Sequence, residues 1–312
     1  MISIVLPIYN VSQYIERCLT SCVNQTCGDI EIVAVDDCGK DDSILKVERF
    51  AEKDGRIKIV KNKKNMGTYH ARRIGVENAG GEYILFLDPD DELKLNAIEE
   101  ILKCLSVNPD LIFYGVQNSP PKRLWQSVPV VPVFLERSDY ISDINKILSC
   151  KGLQFGTAGK VMRRDILLKS YALLNIEVSR RLIFAEDVLL FSAVLVVMKK
   201  CASLKDRLYV YHANKSSVSS VVNHHGLLEN VEQIEFVIKA IENIPISSVS
   251  DGMVRSSLIR ALEVDRFRIR IKAGLPFFDA FAGYVSIILR TKSFKDISRL
   301  LLFVTSFGGK RA

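Results

Sequence analysis

Short apolar runs alternate with segments of helical period through the first 116 residues, and this alternation restricts the chain to a small set of folds. The runs Ile2–Leu6, Ile30–Val35, Ile57–Val60, Tyr83–Leu87 and Asp110–Tyr114 read as strands, and 11–24, 42–51, 68–78 and 97–105 read as the helices between them. Strands buried on both faces read as continuous apolar runs, and repeated strand–helix–strand units predict a mostly parallel sheet covered by helices on both sides. In such sheets ligands bind beyond the carboxyl ends of the strands. The turns after Leu6, Val35 and Leu87 are therefore where chemistry is expected.

The rest of the 312 residues is read more coarsely. Four prolines at 120, 121, 129 and 132 make 117–132 a loop or an edge excursion. Helical patterns return at 138–149 and 164–174, and the apolar 185–198 reads as a buried helix opening on Glu186-Asp187. Residues 208–212 predict a strand, and composition is mainly helical after His225. Basic and apolar residues alternate over 266–272, which fits either a strand or a helix with two charged faces. These patterns predict an α/β domain over 1–220, with halves 1–116 and 117–220, followed by a mainly helical basic region over 221–312.

Composition removes several function classes. The longest apolar runs, 189–198 and 300–304, fall short of the roughly 18 residues of a membrane span. The chain enters a strand at once, so no secretory leader is expected, and seven cysteines without a CxxC pair predict reduced thiols in the cytoplasm. The net charge of +7 is concentrated in 253–312, which holds 12 Lys+Arg against 4 Asp+Glu. No interleaved aromatic and basic motif points to nucleic acid. A basic tail with interspersed Leu, Ile and Phe suits an anionic membrane surface, and it equally suits solvated faces of packed helices.

Candidate site residues stand at the strand ends. Asp88-Pro89-Asp90-Asp91 puts three carboxylates within four residues, tolerated when solvated or when a hard cation binds them through oxygen. Pro7-Ile8-Tyr9-Asn10 offers a residue that ends a ladder, a flat aromatic face and a helix cap. Asp36-Asp37 offers acceptors for a base or ribose. Asn65-Met66-Gly67 is a turn before a helix carrying Arg72, whose forked donors suit a diphosphate. Glu186-Asp187 at a helix start is either catalytic or a complement to the helix dipole.

Together, Pro7-Ile8-Tyr9-Asn10, Val35-Asp36-Asp37, Asn65-x-Gly67-x-x-x-Ala71-Arg72 through Gly75, and Gly81-Glu82-Tyr83 through Asp88-x-Asp90-Asp91 resemble the family 2 inverting glycosyltransferases of GT-A fold. The match covers about the first 95 residues and is similar in style to bacterial lipooligosaccharide and capsule enzymes, galactosyltransferases among them. The resemblance implies a UDP-sugar donor and a glycan or glycolipid acceptor; a cytoplasmic protein, peripheral on the cytoplasmic face of the inner membrane, is expected on the charge of the basic tail alone. It implies that Tyr9 stacks on uracil, that Asp37 bonds its edge, and that Pro7 shapes the pocket. Asp88 and Asp90 would be the DxD, with Asp90 on Mn²⁺ or Mg²⁺, Asp88 on the ribose or metal waters and Asp91 in support. Arg72 would lie near the sugar or diphosphate, Asp187 would be the base beside Glu186, and the loop at Tyr211-His212 would reach the metal or diphosphate. Lys160-Val161-Met162-Arg163-Arg164 resembles a further family segment. Arg73 and Cys38-Gly39-Lys40-Asp41 depart from the pattern, which leaves the sugar pocket open. Asp88-x-Asp90 also satisfies the minimal pattern of an aspartate-nucleophile phosphohydrolase, and a non-catalytic sugar-nucleotide-binding protein is the third reading.

Overall fold

The computed structural model describes residues 1–120, 135–136, 155–214, 223–247 and 249–274. The predicted helix over 138–149 and the last 38 residues of the basic tail lie outside them.

The first half follows the strand–helix alternation closely. Strands β1 (Ile2–Ile8), β2 (Ile30–Asp36), β3 (Ile57–Lys61) and β4 (Tyr83–Phe86) are parallel in the spatial order β3-β2-β1-β4. Helices α1 (Ile15–Val23), α2 (Ser43–Ala51) and α3 (Thr68–Asn78) connect them, and the short α4 (Ala97–Leu102) follows β4. In α1 the buried Ile15, Cys18, Leu19 and Cys22 recur at helical spacing, so one face packs on the sheet. Pro7 does not end its ladder as expected; it pairs in register with Val35, and the strand runs on to Ile8. Its missing N–H therefore costs no strand.

The five strands expected in the first 116 residues share one direction, and beyond β4 the sheet becomes mixed through strands that the alternation did not include. The order continues through β8 (Lys160–Arg163), β6 (Leu111–Ser119), β9 (Lys200–His212) and β5 (Glu92–Leu93), with β7 (Leu135–Glu136) also on β9. β8 is antiparallel to both β4 and β6, while β6 and β9 run parallel. β4, β6 and β9 thus share a direction, and their carboxyl ends lie on the same edge as those of β1 and β2. The strand expected over 208–212 is far longer because it begins at Lys200, and its middle carries the exposed Lys205, Asp206 and Arg207 that hide it from an apolar pattern.

Two apolar layers cover the sheet. One face packs α1 with Ile4, Leu6, Ile32 and Leu85; the other packs α3, α5 (Arg164–Leu174) and α6 (Glu186–Val197) with Val5, Val33, Ile84 and Phe86. Alternate strand residues feed opposite layers, as the pleat requires. Gly75 lets α3 lie against β1, since a Cβ there would meet Val5 Cγ1 at 2.3 Å. Helices α7 (His224–Glu242) and α8 (Val249–Lys272) extend the second layer through Ile234, Val237, Ile238, Val254 and Leu258. The alternating 266–272 is the end of α8, a helix. None of the described helices is long and apolar enough to cross a membrane, and no described cysteine is in a disulfide.

Candidate active site

β1 connects onward toward β2 on one side while β4 lies on its other side, so the gap beyond β1 and β4 is a topological switch point. Leu87 follows β4 and delivers Asp88-Pro89-Asp90-Asp91 there.

The three carboxylates have different partners. Asp88 is partly exposed, and its Oδ1 accepts from Arg72 Nη2 at 2.7 Å. Asp90 Oδ2 accepts from Asn214 Nδ2 at 2.9 Å, and its backbone carbonyl accepts from the Arg17 guanidinium. Asp91 is buried: Oδ1 accepts from the His212 backbone N–H and Oδ2 from the Tyr209 hydroxyl, each at 2.7 Å. Burial, and next the Asp88 charge, pushes the Asp91 carboxyl up to about 8 against those two hydrogen bonds. Burial raises Asp90 as well, with the Asn214 amide pulling the other way.

Two of the positions expected near the metal, Asp91 and His212, have protein partners in this structure. A buried carboxylate must be hydrogen-bonded, and both oxygens of Asp91 are taken by β9. The His212 ring does not face the aspartates; its Nε2 lies 2.6 Å from Glu92 Oε1, which in turn is 3.0 Å from Arg17 Nε. Asp88 and Asp90 each keep one carboxylate oxygen without a hydrogen bond among the described residues. Among those residues no group of three or more His, Cys, Asp or Glu converges on one point. Two carboxylates with phosphate oxygens from a ligand are the usual donor set of a small hard cation, so Asp88 and Asp90 fit Mg²⁺ or Mn²⁺ in the presence of a diphosphate.

Arg72 is the hub. Its side chain is buried on α3, donates from Nη1 to Glu186 Oε1 at 2.8 Å and from Nη2 to Asp88, and lies over the Phe86 ring at 5.8 Å. Although burial opposes the charge, Asp88, Glu186 and Asp187 hold the guanidinium charged well above its ordinary range. Its Nε is buried without a hydrogen-bond partner among the described residues. The resemblance implies Arg72 near the sugar or diphosphate; in the structure its two ion pairs also clasp the acidic loop to α6.

Asp37 and Gly67 build the other wall. Asp37 is 2% exposed and accepts from Asn62 Nδ2 and the Met66 N–H at 2.8 Å through Oδ1, and from the Gly67 N–H at 2.9 Å through Oδ2. Burial raises its carboxyl, opposed by these three donors. Gly67 has φ 82 and no room for a side chain, because a Cβ would lie 2.9 Å from the Leu182 carbonyl oxygen. Tyr9 is 39% exposed at the end of β1, so its ring is open to a planar ligand. Asn10 does not cap α1; it sits at φ 52 and accepts from the Lys40 N–H at 2.7 Å, pinning the loop after Asp37. Helix α1 begins only at Ile15, after a turn at 11–14.

Glu186 and Asp187 open α6 after Ala185, which is forced into the left-handed region at φ 60. The approach is fixed from α7, where Gln233 Oε1 accepts from the Ile183 and Phe184 N–H groups at 2.8 and 2.9 Å. Burial and the neighbouring Asp187 carboxylate push the Glu186 carboxyl up, and the Arg72 guanidinium pulls against them. Asp187 Oδ1 accepts from the Val188 N–H at 2.8 Å, so the side chain satisfies its own helix terminus as well. Lys160, 2% exposed at the start of β8, sets a cation nearby: its Nζ donates to the Gly156 carbonyl and lies 5.0 and 5.9 Å from the Phe191 and Phe113 ring centroids. Burial pushes its ammonium down to about 7, with Asp187 pulling the other way. Sequence reasoning did not find Arg17, Tyr209, Asn214 or Gln233, each a single polar residue whose partner lies far along the chain.

The model of the family described as glycosyl transferase family 2 matches residues 3–169, more than half of the chain. The chain belongs to glycosyl transferase family 2. An uncharacterized glycosyltransferase of Haemophilus influenzae is 36% identical over 115 residues, 37% of this chain and 46% of that protein. The uncharacterized glycosyltransferase EpsJ of Bacillus subtilis is 26% identical over 242 residues, 75% of this chain and 67% of EpsJ. The chain thus matches less than half the length of the first relative. Among solved structures, S. aureus TarS 1-349 in complex with UDP-GlcNAc superposes with a TM-score of 0.65 at 20% identity, over 85% of this chain and 72% of that one. The mannosyltransferase PcManGT of Pyrobaculum calidifontis, in complex with GDP-Man and Mn²⁺, superposes with a TM-score of 0.61 at 14% identity, over 99% of this chain and 81% of that one. Both likenesses bear on the fold, which is GT-A.

Proposed function

We propose that this member of family 2 is an inverting glycosyltransferase that moves a hexose or N-acetylhexosamine from a UDP-sugar to a hydroxyl of a cell-envelope glycan. The observation that supports it most is the double ion pair of Arg72. One guanidinium joins Asp88 of the acidic loop to Glu186 and so brings Asp187 to the same edge of the sheet. A diphosphate held at Asp88 and Asp90 would then lie within reach of the first residues of α6.

Each residue has a part in that reading. Tyr9 supplies a stacking face for the base, and the loop pinned by Asp37 supplies backbone around it. Asp88 and Asp90 would hold a Mn²⁺ or Mg²⁺, which when bound would supply positive charge to offset the negative charge of the departing diphosphate. Asp187 takes the proton of the acceptor hydroxyl as it attacks from the face opposite the diphosphate. Glu186, locked to Arg72, keeps the helix start in place. TarS with UDP-GlcNAc and PcManGT with GDP-Man and Mn²⁺ support a nucleotide-sugar donor and a metal while leaving the base open. Relatives include the minor teichoic acid biosynthesis protein GgaB of Bacillus subtilis, 26% identical over 226 residues, which supports an envelope glycan as acceptor. A peripheral position at the cytoplasmic face of the membrane rests on the basic tail alone, and absence of binding to anionic vesicles at low salt would remove it. The phosphohydrolase alternative has no support in the family match.

The test is nucleoside diphosphate release from a panel of UDP- and GDP-sugars with Mn²⁺ and with EDTA, using wild type, Asp90→Ala and Asp187→Asn. Metal-dependent release from one donor, lost in Asp90→Ala, is expected, together with loss of transfer in Asp187→Asn. Phosphate release from a generic monoester and none from any sugar nucleotide would overturn the proposal.

A further inference from the structure

The end of β9 grips two of the three clustered aspartates. His212 donates its backbone N–H to Asp91 Oδ1, and Asn214 donates Nδ2–H to Asp90 Oδ2. The Asn214 amide is itself aimed. Tyr14, which caps the start of α1, donates its hydroxyl to Asn214 Oδ1 at 3.1 Å. A carboxylate can only accept, so Asp90 decides which end of the amide is NH₂, and the Tyr14 hydroxyl donates to the oxygen at the other end and holds the amide in that orientation. One turn along α1, Arg17 packs over the Tyr14 ring at 5.9 Å and donates to the Asp90 backbone carbonyl. The backbone of Asp90 is thus held by α1, and its carboxylate by the residue two places beyond β9.

We propose that Asn214, oriented by Tyr14, is a positioning residue for the Asp90 carboxylate and sets the affinity of the acidic loop for a divalent cation; this rests on the reading of Asp90 as a cation ligand given above. With Oδ2 occupied by the amide, the carboxylate cannot swing about its Cβ–Cγ bond without breaking a charge-assisted hydrogen bond. Oδ1 is therefore presented in one direction. Where a site has only two protein carboxylates, such orientation weighs heavily, because no third side chain compensates for one that has turned away. Partners of metal-ligating carboxylates are worth about 10- to 100-fold in metal affinity in well-studied sites. Neither Asn214 nor Tyr14 belongs to a motif that the sequence marks, and their roles appear only once β9 and α1 meet across 200 residues of chain.

The full chain is titrated with Mn²⁺ in the presence of UDP, and free Mn²⁺ is read by electron paramagnetic resonance for wild type, Asn214→Ala, Tyr14→Phe and Asp90→Ala. Asp90→Ala is expected to lose binding. Asn214→Ala is expected to weaken it by about 10- to 100-fold, with an unchanged far-ultraviolet spectrum. Tyr14→Phe, which removes one oxygen, is expected to weaken it in the same direction by a smaller factor, and it carries the test alone if Asn214→Ala does not fold. Wild-type affinity in both variants, with binding lost in Asp90→Ala, overturns the inference and leaves the functional reading intact. A wild-type protein that binds no Mn²⁺ with UDP overturns the reading of Asp90 and the inference with it.

Discussion

The Tyr209 hydroxyl donates to Asp91 Oδ2 at 2.7 Å, and both side chains are buried. The same hydroxyl accepts from the Asp88 backbone N–H at 3.2 Å, so one phenol oxygen ties β9 to the acidic loop twice. Tyr209→Phe leaves a buried carboxylate oxygen without its donor. An orphaned buried acceptor costs about 1–3 kcal/mol, and a loss of that size is expected in urea unfolding at neutral pH. Unfolding midpoints within error of wild type would show that water replaces the hydroxyl.

Arg72→Ala strips Glu186 of its cation in a buried place. Breaking a buried pair from one side costs about 3–5 kcal/mol, so a large drop in thermal stability is expected, with donor turnover abolished. Arg72→Met combined with Glu186→Gln removes both charges, and it is expected to recover most of the stability while remaining inactive. A double variant as unstable as Arg72→Ala would mean that Asp88, the other partner, is the one left stranded.

Gly67→Ala tests the turn that Asp37 holds. At φ 82, with the Leu182 carbonyl 2.9 Å from where a methyl would stand, alanine is both strained and crowded. A cost of about 1–3 kcal/mol is expected from the backbone conformation alone. Donor KM is expected to rise as the loop around Tyr9 and Asp37 shifts. Unchanged stability and KM would show that the loop relaxes freely.

Lys160 gives stability a pH dependence. Its ordinary value is 10.5, and burial brings the folded one down to about 7. Between these values the unfolded chain binds more protons than the folded one, so stability contributed by this group rises with pH across that window. Below about 7 both forms carry the proton and the slope vanishes. Lys160→Met removes the slope: its stability relative to wild type is expected to be highest below pH 7 and to fall toward pH 10. Parallel curves of urea midpoint against pH for the two proteins would count against a buried, proton-releasing Lys160.

Much of the fold was visible in the chain because strands buried on both faces announce themselves. Ile32–Val35 and Tyr83–Leu87 are unbroken apolar runs. The acidic residues at their ends, Asp36-Asp37 and Asp88 to Asp91, land on the ligand-binding edge by the geometry of a parallel sheet. Thr68–Asn78 was legible to the residue because Gly67 starts it and Gly80-Gly81 lies just beyond it. The roles were harder to read than the places. Nothing local in Asp91 says that Tyr209 and His212 consume its oxygens, and nothing in Arg72 names Glu186 as its partner 114 residues on. The long β9 escaped because its exposed Lys205-Asp206-Arg207 interrupts the apolar alternation. Asn10 looked like a helix cap and instead holds Lys40, since a turn at 11–14 separates it from α1.

The grip of β9 on the acidic loop also sets an order of events in folding. Asp90 and Asp91 find their donors only at residues 209, 212 and 214, more than 115 positions downstream. Until that stretch docks, Asp88 has Arg72 of α3 within reach, but Asp90 and Asp91 lack these donors, so the early sheet assembles without a competent site. Contacts this distant in sequence close late and slowly. In stopped-flow refolding, secondary structure should therefore return first and nucleotide binding last, which makes ligand affinity a reporter of the final docking step.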